Sequence, residues 1–457
     1  MRILHYSLGL PPYRSGGLTK YCTDLMIEQI KLENEVFLMF PGRMSFIKDE
    51  NPKIKYYRNY KNIKVFELVN PLPVPLLKGI YKPELFYKAC DKDVFINFLK
   101  KINVDIVHVH TFMGLYKEFL VACKELGIKT VFTSHDYFGI CPKVNFINYK
   151  GKRCEDINFE ECYKCNITGD SIKKIKILQS QQYRYIKDKG IVDKLKKYIK
   201  SGSNINLKEK NQVKVKNSSR AYQYLALSKY YYSMFENIDK IFFNSELAKS
   251  IYQKYIDTDN IVIPITHGGI KDNRKIKDYN QNKILKLTYL GPYKEYKGFN
   301  LLCNVMEEIK KEGYSKIILN AYGDTNTTLE THKNITIRGK YTHSDLNTIF
   351  ESTDVLIVPS IWNETFGFVV LEALSYGVPV LVTEKVGSKD LIYNKEFIKG
   401  EIVELSISIM KDKIIQFYKD RTILKMYNYN IVNENFEYSL DKHCKRICSN
   451  YEKLLAE

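Results

Sequence analysis

The chain has 457 residues, with 71 Lys and Arg against 52 Asp and Glu and a formal net charge of +19. That length supports two sizeable hydrophobic cores, and no apolar run reaches the roughly eighteen residues a membrane-spanning helix needs. Ten cysteines behind an N-terminus that enters a strand pattern directly predict a reduced, cytoplasmic chain and argue against a disulfide framework.

From the N-terminus, strand-like runs at Arg2–Leu8, Glu35–Phe40, Ile63–Val69, Ile106–His110, Thr130–Ser134, Lys240–Asn244 and Ile261–Thr266 alternate with helical patterns such as Leu18–Leu32 and Tyr116–Leu126. Such alternation implies βαβ units and a parallel sheet. Between the first strand and helix, the loop Pro11–Thr19 carries Gly16 and Gly17, which serve either as plain helix entry or as a close approach to phosphate. The strand Thr130–Ser134 ends at His135 and Asp136, where a doubly wound sheet presents reactive groups. His108 and His110 alternate along their strand, so only His110 is expected near a cleft mouth.

An excursion of about 137–230 interrupts this series. Cys141, Cys154, Cys162 and Cys165 have the spacing C-x12-C-x7-C-x2-C, whose terminal C-x-x-C suits one tetrahedral ion. A structural Zn2+ is the expectation and four free thiols the alternative; four thiolates would leave no open catalytic position. Cys444 and Cys448, one helical turn apart, read as packing residues. Residues 171–217 carry fourteen Lys and Arg against three acidic residues, interleaved with Ile, Leu and Tyr as in Ile191–Lys200. A solvated basic face is one reading, docking on an anionic membrane surface the other. No nucleic-acid-binding fold accompanies the charge.

The polar stretch Lys271–Lys283 reads as a linker. A second strand series follows at Leu285–Leu290, Lys316–Tyr322, Ile335–Gly339, Val355–Pro359 and Val378–Val382. Within it, a helix expected over Phe366–Ser375 and stopped by Gly377 places Glu364 on a loop and Glu372 inside the helix. At 1.5 Å rise per residue the two lie roughly 12 Å apart, too far for a hydrolase pair at about 5–9.5 Å. They suit different parts of one long ligand, whose phosphates would meet the free N–H groups around Phe366, Gly367 and Phe368.

The run Pro359-Ser360-Ile361-Trp362-Asn363-Glu364-Thr365-Phe366-Gly367 through Glu372-Ala373, Gly377 and Pro379-Val380 resembles the donor motif of retaining family-4 glycosyltransferases. That resemblance implies a GT-B architecture, two doubly wound Rossmann-like domains facing across a cleft. The expected divisions are 1–270 on the acceptor side, the linker 271–283, 284–430 on the nucleotide-sugar side, and a last helix, 431–457, crossing back. By the same resemblance, Glu364 would contact hydroxyls of the transferred sugar, Glu372 the ribose, and the Phe366–Phe368 backbone would line the donor pocket. Gly16 and Gly17 would lie beside the donor phosphates, and His135 would be the cleft histidine. Leu290–Gly298 resembles the family's loop G-R-x-x-x-x-K-G. Lys297 matches its lysine, Pro292 replaces its arginine, and Lys294 would have to supply the missing charge. Thr266–Ile270 and Gly387–Asp390 align with segments near ligand, and some family members have a similar cysteine-rich excursion after His-Asp-Tyr and Cys-Pro.

The implied activity is transfer of a sugar from a nucleotide-diphosphate-sugar to a hydroxyl of a sugar or lipid-linked acceptor during cell-surface polysaccharide or glycolipid assembly, with no metal needed for the chemistry. Pro292 keeps a rival open, a GT-B-fold binding or scaffold protein without turnover. A phosphorylase would need a pyridoxal-phosphate lysine that the sequence does not identify.

Overall fold

A computed structural model describes residues 1–46, 51–191, 218–280, 283–323, 334–394 and 396–457. Two sheets organise it. The first has eight strands in the order β3-β4-β2-β1-β5-β6-β7-β8: β1 Arg2–Tyr6, β2 Glu35–Pro41, β3 Lys53–Tyr60, β4 Ile63–Val69, β5 Ile106–Val109, β6 Lys129–Ser134, β7 Lys240–Phe243 and β8 Asn260–Val262. All pairings are parallel except β3 with β4. The second is wholly parallel, in the order β11-β10-β9-β12-β13-β14: β9 Leu285–Leu290, β10 Ile317–Tyr322, β11 Ile335–Gly339, β12 Val355–Val358, β13 Val380–Thr383 and β14 Gly400–Val403.

Strand order reverses beside β1 in the first sheet, where β5 pairs with it, and beside β9 in the second, where β12 does. Crevices at the carboxyl ends of such reversal points are where doubly wound sheets bind ligands. The loops after β1, β6 and β7 meet those after β9, β12 and β13, as where Gly17 approaches Phe368, Gly151 approaches Glu295, and Glu246 N–H donates to Asp390 Oδ2.

Two elements escaped the sequence reading. β3, Lys-Ile-Lys-Tyr-Tyr-Arg-Asn-Tyr, is largely exposed at a sheet edge, so no buried face imprints a hydrophobic pattern on it. β14 is an edge strand of only four residues, too short to carry a pattern.

One core of apolar side chains joins the halves. Leu25 and Met26 of the helix Gly17–Lys31, Val370 and Leu371 of the helix Phe368–Leu374, and Ile447 and Tyr451 of the helix Leu440–Ala456 belong to a single buried cluster. At about 1.5–3 kcal/mol per large apolar side chain buried, this packing draws the last helix onto the first. Cys444 and Cys448 are buried in it. The stretch read as one amphipathic segment from Ile431 is two helices, Thr422–Asn433 and Leu440–Ala456, with a break between them. There Lys399, buried, pairs with Glu434 at 2.7 Å.

Candidate active site

The helix after β12 begins at Phe368, two residues later than the sequence pattern suggests. Gly367 adopts φ 96°, a left-handed conformation that favours glycine, and forms its N-cap. Val370 N–H donates to the Gly367 carbonyl at 3.2 Å, while the N–H groups of Phe368 and Val369, residues on the cavity lining, have no acceptor within the helix. Gly377, φ 77°, closes the other end as expected.

The crevice holds a cavity of about 270 Å3 lined by, among others, Gly291, Lys297, Ser360, Glu364, Phe368 and Glu372. Lys297 Nζ lies 2.6 Å from Glu364 Oε1 and 5.0 Å from the centre of the Trp362 ring. Ser360 Oγ donates to Glu364 Oε2 at 2.7 Å. Both carboxylate oxygens are thus engaged, and the Lys297 ammonium is held inside the cavity. Lys294 is exposed and is absent from the lining, so the structure does not bring it in to replace the missing arginine. The reason is local. Lys294 precedes the turn Glu295–Lys297, which carries Lys297 inward before Gly298, whose close approach to the Pro359 carbonyl leaves no space for a Cβ.

Glu372 shares the lining, and two histidines flank it. His267 Nδ1 accepts from Gly269 N–H at 3.1 Å, so the proton sits on Nε2, 3.5 Å from Glu372 Oε1. His343 Nδ1 lies 3.9 Å from the same oxygen, and the His267 ring packs on Phe368. The resemblance had placed the Thr266–Ile270 segment near ligand without giving His267 a role, and His343 belongs to no motif.

Across the crevice, a Cβ on Gly17 would stand 3.2 Å from the Phe368 ring. Gly16, φ 106°, caps the helix behind it. Thr365 Oγ1 donates to the His135 carbonyl at 2.8 Å, and Ser245 Oγ to the Thr365 carbonyl at 2.7 Å. These bonds hold the loop carrying Glu364 against the strand end carrying His135.

Behind His135 runs a line of imidazoles. Gln29 Oε1 is 2.7 Å from His5 Nε2, His5 Nδ1 is 3.0 Å from His110 Nε2, and His110 Nδ1 is 3.2 Å from His135 Nε2. Neutral imidazoles carry one proton each. With Gln29 Oε1 as terminal acceptor, all three rings are protonated on Nε2, which leaves His135 Nδ1 as an acceptor. Burial, slightly offset by Gln29, lowers the His5 pKa to about 4; burial and then His443 lower that of His135 to about 3. His108 and His110 are also driven well below the usual value, first by burial and then by neighbouring histidines. Asp136 moves the other way, raised by burial to about 6 although it accepts from Phe138 N–H.

His5, His108 and His110 bring three ring nitrogens within 4.8 Å of one another, a spacing that would suit a metal. Each ring is already engaged at both nitrogens, His108 by Tyr451 OH at 2.5 Å and Thr133 Oγ1 at 2.7 Å. The group is a hydrogen-bond network. The four cysteines of the excursion line a separate cavity, with their sulfurs set wider than that spacing.

A family profile described as glycosyl transferases group 1 matches residues 270–433, and one described as glycosyltransferase family 4 matches residues 15–156. An uncharacterized 41.2 kDa protein in the cps region of Klebsiella pneumoniae is 30% identical over 165 residues, 34% of this chain and 44% of that protein. An uncharacterized glycosyltransferase of Methanocaldococcus jannaschii is 27% identical over 132 residues, 27% and 31% of the two chains. The chain thus spans less than half the length of these curated relatives.

Among solved structures, sucrose-phosphate synthase from Thermosynechococcus elongatus superposes with TM-score 0.56 at 13% identity, covering 100% of both chains. HepE from Anabaena in complex with UDP gives 0.58 at 11%, over 99% of this chain and 100% of that one. WaaG, a glycosyltransferase involved in lipopolysaccharide biosynthesis, gives 0.53 at 13%, over 98% and 99%. At these identities the likeness is one of fold. With a matching profile on each half and two facing Rossmann-like sheets, the chain belongs to the family-4-like glycosyltransferases of the GT-B fold.

Proposed function

We propose that the protein transfers a sugar, with retention of configuration, from a nucleotide-diphosphate-sugar to an acceptor hydroxyl in the assembly of a cell-surface polysaccharide or glycolipid. The observation that carries this reading is the single cavity in which Lys297, Glu364, Glu372 and the start of the Phe368 helix converge. A cation and unpaired N–H groups offset charge developing on a departing diphosphate. Glu364 takes hydroxyls of the sugar, and Glu372, oriented by His267, takes the ribose. His135, neutral and with Nδ1 free to accept, receives a hydrogen bond from a sugar hydroxyl across the cleft. Retention then follows from attack on the face the phosphate leaves, the phosphate oxygen accepting the acceptor's proton. The Klebsiella relative's place in a cps region and the UDP bound by HepE support the polymer and donor classes.

The acceptor side is the N-terminal half. A larger cavity there, about 470 Å3, opens beyond the ends of β2 and β4 with Lys88 and Lys176 on its wall. No described helix is long and apolar enough to cross a membrane. A lipid-linked acceptor would be reached by docking the basic segment on an anionic surface, where Ile177 is exposed on the helix of Lys173 and Lys174 and Tyr185 on the next helix, which carries Lys187.

The test is nucleotide release from a panel of nucleotide-sugars. Release from at least one donor, abolished or strongly reduced in Glu364→Gln and Glu372→Gln with unchanged melting, is expected. Release from none would favour the binding-protein reading, and near-normal turnover by both variants would remove the site assignment.

A further inference from the structure

The cysteine-rich excursion has a geometry that transfer chemistry does not account for. Cys141, Cys154, Cys162 and Cys165 come from three separate turns of chain, and their side chains line one cavity of about 190 Å3. The first turn is unusual. Val144 and Phe146 both adopt left-handed backbone, φ 74° and 52°, which a β-branched and an aromatic side chain rarely tolerate. The result is a knuckle, residues 141–146, in which Val144 N–H donates to the Cys141 carbonyl at 2.8 Å.

The remaining pieces are fixed in place around that knuckle. Cys154 N–H donates to the Phe146 carbonyl at 2.7 Å, and an antiparallel bridge pairs Ile147 with Arg153. Asn158 caps the helix Phe159–Asn166 by accepting from Glu160 and Glu161, and the helix presents Cys162 and Cys165 three residues apart. At the far end, Asn166 Oδ1 accepts from Ile80 N–H at 2.7 Å. Soft sulfur donors in a set of four select Zn2+ over hard cations. A tetrahedral thiolate site needs Zn–S contacts of about 2.3 Å; the four sulfurs stand wider than this requires, and binding the ion has to draw them in.

We propose that Cys141, Cys154, Cys162 and Cys165 form a four-thiolate Zn2+ site that braces the cleft. The knuckle is bonded directly to the residue after Asp136: Cys141 N–H donates to the Tyr137 carbonyl at 2.9 Å and Tyr137 N–H to the Val144 carbonyl at 3.2 Å. The hairpin tip reaches the other half, where a Cβ on Gly151 would lie 3.3 Å from Glu295 Oε2, two residues before Lys297. The metal module therefore spans from the strand end of His135 to the loop of Lys297. Its bearing on catalysis rests on the proposed transferase reading; its metal content does not.

The experiment is elemental analysis of the full chain, purified without added metal or metal-affinity resin. About one zinc per chain is expected. Cys162→Ser should lose it, while Cys90→Ser, outside the cavity, should retain it. Because the Cys162 variant can fail to fold, the wild-type chain is also titrated with an organomercurial while zinc release is followed with a colorimetric chelator. Release in step with modification of four thiols supports the site. Four reactive thiols and no metal would overturn it, as would iron with acid-labile sulfide in place of zinc. A chain that holds zinc yet releases nucleotide from no donor would count against the transferase reading alone.

Discussion

Lys297 and Glu364 hold each other at 2.6 Å inside the cavity, so an arriving diphosphate competes with a carboxylate for the same ammonium. Replacing Lys297 with alanine removes a charge-assisted contact of about 1.5–3 kcal/mol. We expect donor KM to rise by roughly tenfold or more, since 1.4 kcal/mol corresponds to a factor of ten. Lys294→Ala, at an exposed position outside the lining, should leave KM near wild type. Steady-state kinetics with varied donor would show it; the opposite ranking would mean the loop is misaligned. Lys297 was reached through the resemblance of its loop to G-R-x-x-x-x-K-G, and it lines the cavity beside Glu364. His267 and His343 were not reached that way, because their approach to Glu372 depends on where the hinge and the turn after β11 fall in space.

At the scale of elements, buried parallel strands were legible because both faces pack and leave continuous apolar runs, as in Val355–Val358. Edge strands and the exact start of the Phe368 helix were not, since an exposed ladder and a glycine cap leave little hydrophobic imprint. The basic insertion was readable only as composition. Its tract Lys194–Lys200 lies outside the described residues. In the described part, the helices Ile172–Gln179 and Gln181–Asp188 expose Ile177 and Tyr185 among lysines. Each basic residue near an anionic surface contributes about 1 kcal/mol, screened over about 8–10 Å. Co-sedimentation with anionic vesicles at low salt is therefore expected, with release at high salt and no binding to neutral vesicles. Changing Lys173, Lys174 and the lysines of 194–200 to Gln should weaken it. Equal binding to both vesicle types, or none to either, would leave the insertion as a solvated face.

At the scale of the whole molecule, the first and last helices and β1, β5 and β6 close around five neutral histidines: His5, His108, His110, His135 and His443. The last is lowered to about 3 by burial and then Arg446, and it shares a 2.9 Å hydrogen bond with Tyr21 OH. A histidine whose folded pKa lies below 6.5 binds fewer protons folded than unfolded at any pH between the two values. Its contribution to stability is complete above about pH 6.5 and is lost as pH falls toward the folded value. Asp136 has the opposite sign. Raised to about 6, it holds its proton longer in the fold and offsets roughly one histidine between its ordinary value and 6. Five histidines outweigh one carboxyl, so unfolding free energy should drop steeply on acidification from about pH 6.5, by up to about 1.4 kcal/mol per pH unit for each uncompensated group. His443→Gln can keep a hydrogen bond to Tyr21 and cannot titrate. In urea melts from about pH 7 down to about pH 4 it should flatten the slope by about one proton. An unchanged slope would mean that His443 is protonated in the fold, and that the last helix is held onto the N-terminal half by a charge instead of by burial.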